Sequence, residues 1–264
     1  MPPPSYRPRQ RKQSLKFLLV LGSGLALIVA ILAGRVVLTP EPIDSTTLCP
    51  RRGVLAVHAV LVDRSDPISP LQATQIRNAL NTIVKDAQAG ERIDLYVADA
   101  DGRAAPAPVL SLCSPGREAN PIYQNPDNIR KRYEDAFRRP IEETLTALLS
   151  PSRNDSSPIM ESIKTACVGS FGSLPAGIPA RLTIVSDMLQ NSPIMNHFRD
   201  REFARTLTSP RLASVLADCR SARVHILYVL QPQYRAYQTR QHQVFWENLL
   251  DRMNARVTAI DLVS

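Results

Sequence analysis

The longest apolar stretch of the chain, FLLVLGSGLALIVAILAG, runs from Phe17 to Gly34 without a charge. Wound as an α-helix it rises roughly 27 Å, close to the hydrocarbon thickness of a bilayer. Past residue 50 the pattern changes to short runs. Val54–Val62 is almost continuously apolar, as in a strand covered on both faces. Leu71, Ile76, Leu80, Ile83, Val84 and Ala87 then recur at helical spacing, before Gly90. Ser69-Pro70-Leu71-Gln72 opens that helix: Ser as N-cap, Pro in the first turn, and Gln completing a capping box. Ile93–Ala98 reads as a second strand and Val109–Leu112 as a short third, turned back on the second. After the loop CSPGREANPIYQNPDN, helical spacing returns over Asp127–Leu149, where Pro140 is expected to kink or divide the helix. A short helix Pro158–Cys167, strand Arg181–Ser186, a helix around Arg201–Cys219, strand Val224–Leu230, helix Arg240–Asn254 and strand Val257–Leu262 complete the pattern.

Strands alternating with helices predict an α/β fold: an open, mostly parallel sheet with helices on both faces. The layout is a basic tail (1–16), a transmembrane helix (17–38), a linker (39–52) and one α/β domain (53–264). At 44% hydrophobic and 21% charged residues the chain has enough apolar material for a packed core. The net charge of +8 is partly local: residues 1–16 hold Arg7, Arg9, Arg11, Lys12 and Lys16 and no acid. That flank stays cytoplasmic by the positive-inside rule. A cleaved signal peptide has an apolar core of about 7–15 residues; the longer run here favours an uncleaved signal anchor. The expected location is the inner membrane, single-pass, with residues beyond about 40 exported to a periplasm. Partners are then the lipid bilayer and a protein of unknown identity. The basic tail orients the protein in the membrane, so no nucleic-acid partner is expected. Gly22, Ala26, Ala30 and Gly34 form a small-residue stripe that allows two helices to self-associate.

Enzyme signatures are sparse. The chain lacks G-x-x-x-x-G-K-[ST], H-E-x-x-H and G-x-S-x-G. His58, His197, His225 and His242 show no ligand spacing, and His58 and His225 alternate within apolar strands as core or near-core residues do. Ligands of open α/β sheets bind beyond the carboxyl ends of the strands. Two strands here end in polar clusters, Asp63-Arg64-Ser65-Asp66-Pro67 and Ser186-Asp187, and a third cluster around Ser156 and Ser157 opens a helix. Following the chain up and down brings all three to one edge. Each also has a plainer reading: Asp, Ser and Pro populate turns, and Ser157 before Pro158 suits an N-cap.

In that order and placement the chain resembles the von Willebrand factor A (vWA) family, over roughly residues 54–262. The family's metal-ion-dependent adhesion site combines Asp-x-Ser-x-Ser, a Thr before a helix and a Thr-Asp-Gly turn. Asp63 and Ser65 match the first motif. Ser157-Pro158-Ile159-Met160-Glu161-Ser162-Ile163 follows the second with Ser157 for Thr, and Asp187 matches the third. Pro67 stands where the first motif has its last Ser, and Met188 where the third has Gly. The resemblance implies a vWA-like, Rossmann-like sheet and a degenerate adhesion-type site in which Asp63, Ser65, Ser157 and Asp187 bind Mg²⁺ or another divalent cation. Hard cations take oxygen ligands, and Mg²⁺ keeps several waters. The implied function is protein recognition in a cell-envelope complex, without catalysis. The alternatives are a membrane-anchored metal-dependent hydrolase or phosphatase using Asp63, and a metal-free structural component. A haloacid-dehalogenase-type phosphatase would have a second Asp where Ser65 stands.

Cys49, Cys113, Cys167 and Cys219 are even in number and contain no C-x-x-C pair. In an oxidising compartment Cys49–Cys113 and Cys167–Cys219 are conceivable bridges, since the tracing brings all four to the lower edge of the sheet. Buried free thiols are the alternative.

Overall fold

A computed structural model describes residues 9–38, 42–98, 107–120, 124–150, 156–200, 202 and 207–264. The chain forms two compact units, Met1–Pro42 and Ile43–Ser264. In the first, α1 (Arg9–Leu38) is a single helix whose described side chains from Phe17 to Ile31 are exposed. Among the described residues, no helix is long and apolar enough to cross a membrane.

In the second unit, six strands form one sheet: β1 (Ala56–Asp63), β2 (Glu91–Ala98), β3 (Leu110–Cys113), β4 (Ala180–Ser186), β5 (Ala222–Val229) and β6 (Ala255–Val263). Their spatial order is β3-β2-β1-β4-β5-β6, with every pair parallel except antiparallel β2–β3. The expected mostly parallel α/β sheet is therefore present. From β1 the chain first adds strands on one side, then crosses to β4 on the other. β1 and β4 thus flank the topological switch point, where an open α/β sheet leaves a crevice.

Strand alternation divides the core into two layers. Ala59 and Leu61 of β1 with Leu182 and Ile184 of β4 pack against Ile159 and Ile163 of α5 (Ile159–Ala166) and Trp246 of the C-terminal helix. Val60 and Val62 with Val185 face the opposite way, against Ile76 and Leu80 of α2 (Pro70–Asp86) and Ile141 of α4 (Arg139–Leu148). The α2 cap forms as its sequence predicts, with Ser69 Oγ accepting from Gln72 N–H at 3.1 Å and Gln72 Oε1 from Ser69 N–H at 2.9 Å. Gln72 does more than cap: its Nε2 donates to the Leu230 carbonyl at 2.7 Å, tying the start of α2 to the exit of β5.

Two helical expectations are corrected. The 127–149 helix, expected to be kinked or divided at Pro140, is not divided there. It runs from α3 (Pro126–Arg132) through a π-helical segment, Tyr133–Arg138, into α4 with Pro140 in its first turn. Proline lacks the N–H of an ordinary i→i−4 bond, and the wider π register, with Arg139 N–H donating to Glu134, makes room for it. The helix expected around Arg201–Cys219 is reduced, over 207–219, to a 3₁₀ turn, Pro210–Ser214, capped by Ser209; residues 201 and 203–206 lie outside the described residues. The last helix, α6 (Arg240–Arg252), starts at its Thr239 cap.

Residues 43–50, read from sequence as the second half of the linker, are held to the domain. Asp44 Oδ1 accepts from the Thr46 and Thr47 N–H groups, and the Thr47 carbonyl accepts from Cys113 N–H at 2.8 Å. Both suggested disulfides are formed, Cys49–Cys113 and Cys167–Cys219. The first fastens the chain entry to β3, and the second fastens the end of α5 to the start of β5. Each closes a loop of more than 50 residues, worth about 4 kcal/mol on the chain-entropy model. Replacing Cys49 and Cys113 together by Ser is expected to lower unfolding free energy by about 2–4 kcal/mol in denaturant titration; an unchanged midpoint and slope would contradict this role.

Candidate functional site

Asp63 ends β1, and the alternation that puts Ala59 and Leu61 on the α5 side places Asp63 there as well. Its Oδ1 accepts from the Ser65 N–H at 2.9 Å, closing a tight turn. Its Oδ2 accepts from Ser157 Oγ at 3.2 Å and Ser186 Oγ at 2.8 Å. One carboxylate thereby joins the end of β1, the start of α5 and the end of β4. Burial pushes the Asp63 carboxyl above its ordinary range, against the hydrogen bonds from Ser65, Ser186 and Ser157 that pull it down.

Ser157 is not a helix cap. The N-cap of α5 is Pro158, with no side-chain capping bond, and the Ser157 hydroxyl goes to Asp63 instead. Its backbone is clamped by reciprocal bonds with Asn191, 2.9 Å each way. Gln190 completes the clamp by accepting from Met160 N–H and donating to Glu161, both at 2.9 Å.

Asp187, one residue beyond β4, is buried. Its Oδ1 accepts from Leu189 N–H at 2.9 Å, while Oδ2 is buried without a hydrogen-bond partner among the described residues. Burial first, then the charge of Asp63, then the charge of Asp66 and a carboxyl–carboxyl hydrogen bond with it, push its carboxyl well above the usual carboxylate range, against the bond from Leu189 N–H. These groups border a cavity of about 20 Å³, room for about one water. Arg64 borders it too, yet its buried Nε has no partner and it makes no ion pair among the described residues. The carboxylates gain no counter-charge from it.

The structure thus brings Asp63, Ser65, Ser157 and Asp187 to one edge. It adds Ser186, which the sequence reading did not assign to the site. The signal was available: in β4, Leu182 and Ile184 share the α5 face, so period-2 alternation points Ser186 at Asp63. Asp66 was a further omission. Pro67 supplies no hydroxyl, but its carbonyl accepts from Gln231 Nε2 at 3.2 Å, holding the first loop to the exit of β5. Among the described residues no three His, Cys, Asp or Glu side chains cluster as a metal-binding group; the oxygens bordering the cavity are the carboxyls of Asp63, Asp66 and Asp187 and serine hydroxyls.

Met188 adopts φ +62°, a conformation costly for a residue with a side chain. Packing and hydrogen bonds over-determine it. Its side chain is fully buried, Ser186 Oγ accepts from its N–H at 2.7 Å, and Trp246 Nε1 donates to its carbonyl at 2.9 Å. Trp246 belongs to a buried chain in which Tyr228 bonds His242 at 2.6 Å and His242 bonds His197 at 2.9 Å. Burial holds His242 down to about 4, and burial with its neighbour His242 lowers His197 as well, so both rings are neutral at pH 7. His58 is a core residue bonded to Thr183, and His225 pairs with Asp261.

No protein-family model and no curated protein matches the chain. Among solved structures it is similar to an aerotolerance-related membrane protein from Bacteroides fragilis, with a TM-score of 0.39, 10% identity, and coverage of 79% of this chain and 92% of that one. It is also similar to the conserved hypothetical protein BatB from Bacteroides thetaiotaomicron, with a TM-score of 0.39, 9% identity, and coverage of 78% and 91%. For the PilB minor pilin from Streptococcus sanguinis the TM-score is 0.42 at 11% identity, covering 81% of this chain and 59% of that one.

An acceptor buried without a donor, beside other carboxyls, costs stability. Asp187→Asn keeps the Oδ1 acceptor and supplies N–H donors to its acidic neighbours. It is expected to stabilise the apo protein by about 1–3 kcal/mol in denaturant melts at pH 7; a loss of similar size would contradict the strain assigned to Asp187.

Proposed function

We propose that the chain is a membrane-anchored, vWA-like protein-interaction module of a cell-envelope complex, whose edge at Asp63 takes up a divalent cation. The observation that carries this reading is the convergence of the Asp63, Asp66 and Asp187 carboxyls on one small cavity at the switch point, with Arg64 making no ion pair among the described residues. Buried charges are normally paired or bound to metal. Asp63, Ser65, Ser157, Ser186 and Asp187 offer only oxygen, which suits Mg²⁺ or a similar hard cation. When bound, the cation would supply an open coordination position for a partner's carboxylate. The residues of this chain hold and orient it: the Ser157–Asn191 clamp and the buried Met188 turn fix two of the loops before any ligand arrives. The apolar run at 17–34 behind a basic flank supports the anchor, the cytoplasmic N-terminus and an exported domain. Two disulfides suit an oxidising compartment.

A metal-free docking face is the second reading. It is favoured by the three hydrogen bonds Asp63 already accepts and by the small cavity, which has room for about one water and not for a hydrated ion. Calorimetry of the full chain in detergent micelles separates the two. The cation reading expects Mg²⁺, Mn²⁺ or Ca²⁺ to bind with a Kd of about 1 mM or tighter, and both Asp63→Asn and Asp187→Asn to abolish the heat. No binding by the wild type at millimolar cation leaves the metal-free face.

A further inference from the structure

A second, larger cavity of about 430 Å³ opens beside the carboxylate pocket. Gln231 lines both, and the chain passes from Asp66 in one wall directly to Pro67 in the other. Its size falls in the range of ligand cavities, roughly 300–1,000 Å³. The walls combine two proline rings, Pro67 and Pro232, with the amides of Gln72, Gln231 and Gln233, two serines and, as the one charged side chain among the described residues, Arg235. Arg235 is exposed and makes no ion pair or hydrogen bond among the described residues.

The unused polar groups define what fits. Gln231 donates to the Pro67 carbonyl and accepts from Gln233 Nε2 at 3.2 Å. A primary amide has two N–H groups and two carbonyl lone pairs, so Gln233 keeps a donor and its acceptor for a ligand. Donors and acceptors side by side match a polypeptide backbone. The Arg235 guanidinium presents a fork of N–H groups that matches a carboxylate. Among the described residues no aromatic ring lines the cavity, and so none offers a stacking platform for a nucleobase; Tyr234 and Tyr237 turn their rings to Phe198 instead.

We infer that this cavity receives an acidic side chain from an extended segment of a partner polypeptide, held by Arg235 next to the Asp63 edge. The inference rests on the proposed function for its second anchor: another carboxylate of the same segment meets the cation. The partner is thereby specified as an acidic strand-like peptide that engages two adjoining pockets.

The test uses the full chain in micelles and a fluorescein-labelled peptide of alternating Asp and Ser, followed by anisotropy in Mg²⁺ and in EDTA. An otherwise identical peptide of Asn and Ser is the uncharged control. Because the chain carries a net +8, Arg77→Ala, which removes an exposed charge from α2, reports bulk attraction. Expected are saturable binding of the Asp peptide only and weakening of about tenfold or more in Arg235→Ala. Arg77→Ala should bind as wild type does, and Arg235→Ala should keep the wild-type Mg²⁺ affinity by calorimetry. Arg235→Ala weakening the peptide equally in Mg²⁺ and EDTA keeps this inference while refuting the cation. Wild-type-like binding by Arg235→Ala, an equal loss in Arg77→Ala, or no binding of the Asp peptide by the wild type overturns it.

Discussion

The Asp63 carboxylate is the constraint on which the upper edge of this domain depends. It sits half-buried at the end of the central strand β1 and accepts hydrogen bonds from Ser65, Ser157 and Ser186. These come from the loop after β1, the entry to α5 and the end of β4. Removing an acceptor of this kind would strand three donors at once. The parallel register that sets β1 between β2 and β4 brings the three together, so the site is a product of topology as much as of the motif residues.

Around that carboxylate the protein accepts local cost. Asp187 sits beside Asp63 and Asp66 with one oxygen lacking a donor, and Met188 holds a left-handed backbone. Such strain persists only where the surroundings over-determine it. The surroundings here are the Trp246 bond to the Met188 carbonyl and the neutral, buried Tyr228–His242–His197 chain. A site rigid before its ligand arrives loses little entropy on binding.

Much of this was legible in the sequence because it depends on local rules. Apolar runs marked the strands, the Ser69 box marked the start of α2, and the up-and-down tracing brought Asp63, Ser157 and Asp187 to one edge and the four cysteines to the other. What was missed depends on finer or longer-range geometry. Ser186 required applying strand alternation at the final residue of β4. The continuous helix through Pro140 required a π register, which no residue pattern announces. The 207–219 segment has apolar spacing that suits a helix, but Pro210 and burial of Leu212 and Val215 settle it as a short 3₁₀ turn. Gln72 was read as half of a capping box; its second bond, to the end of β5, spans 158 residues of sequence.

As proposed above, the edge built on Asp63 and Asp187 is a cation site and not only a polar turn. Anomalous diffraction from crystals grown with Mn²⁺ tests it directly. Expected is one peak within coordination distance of the Asp63 and Asp187 carboxyl oxygens, about 2–2.5 Å for direct ligands or about 4 Å through a bridging water, and its loss in Asp187→Asn. Fully occupied Mn²⁺ elsewhere in the protein, with no peak at this edge, would contradict it.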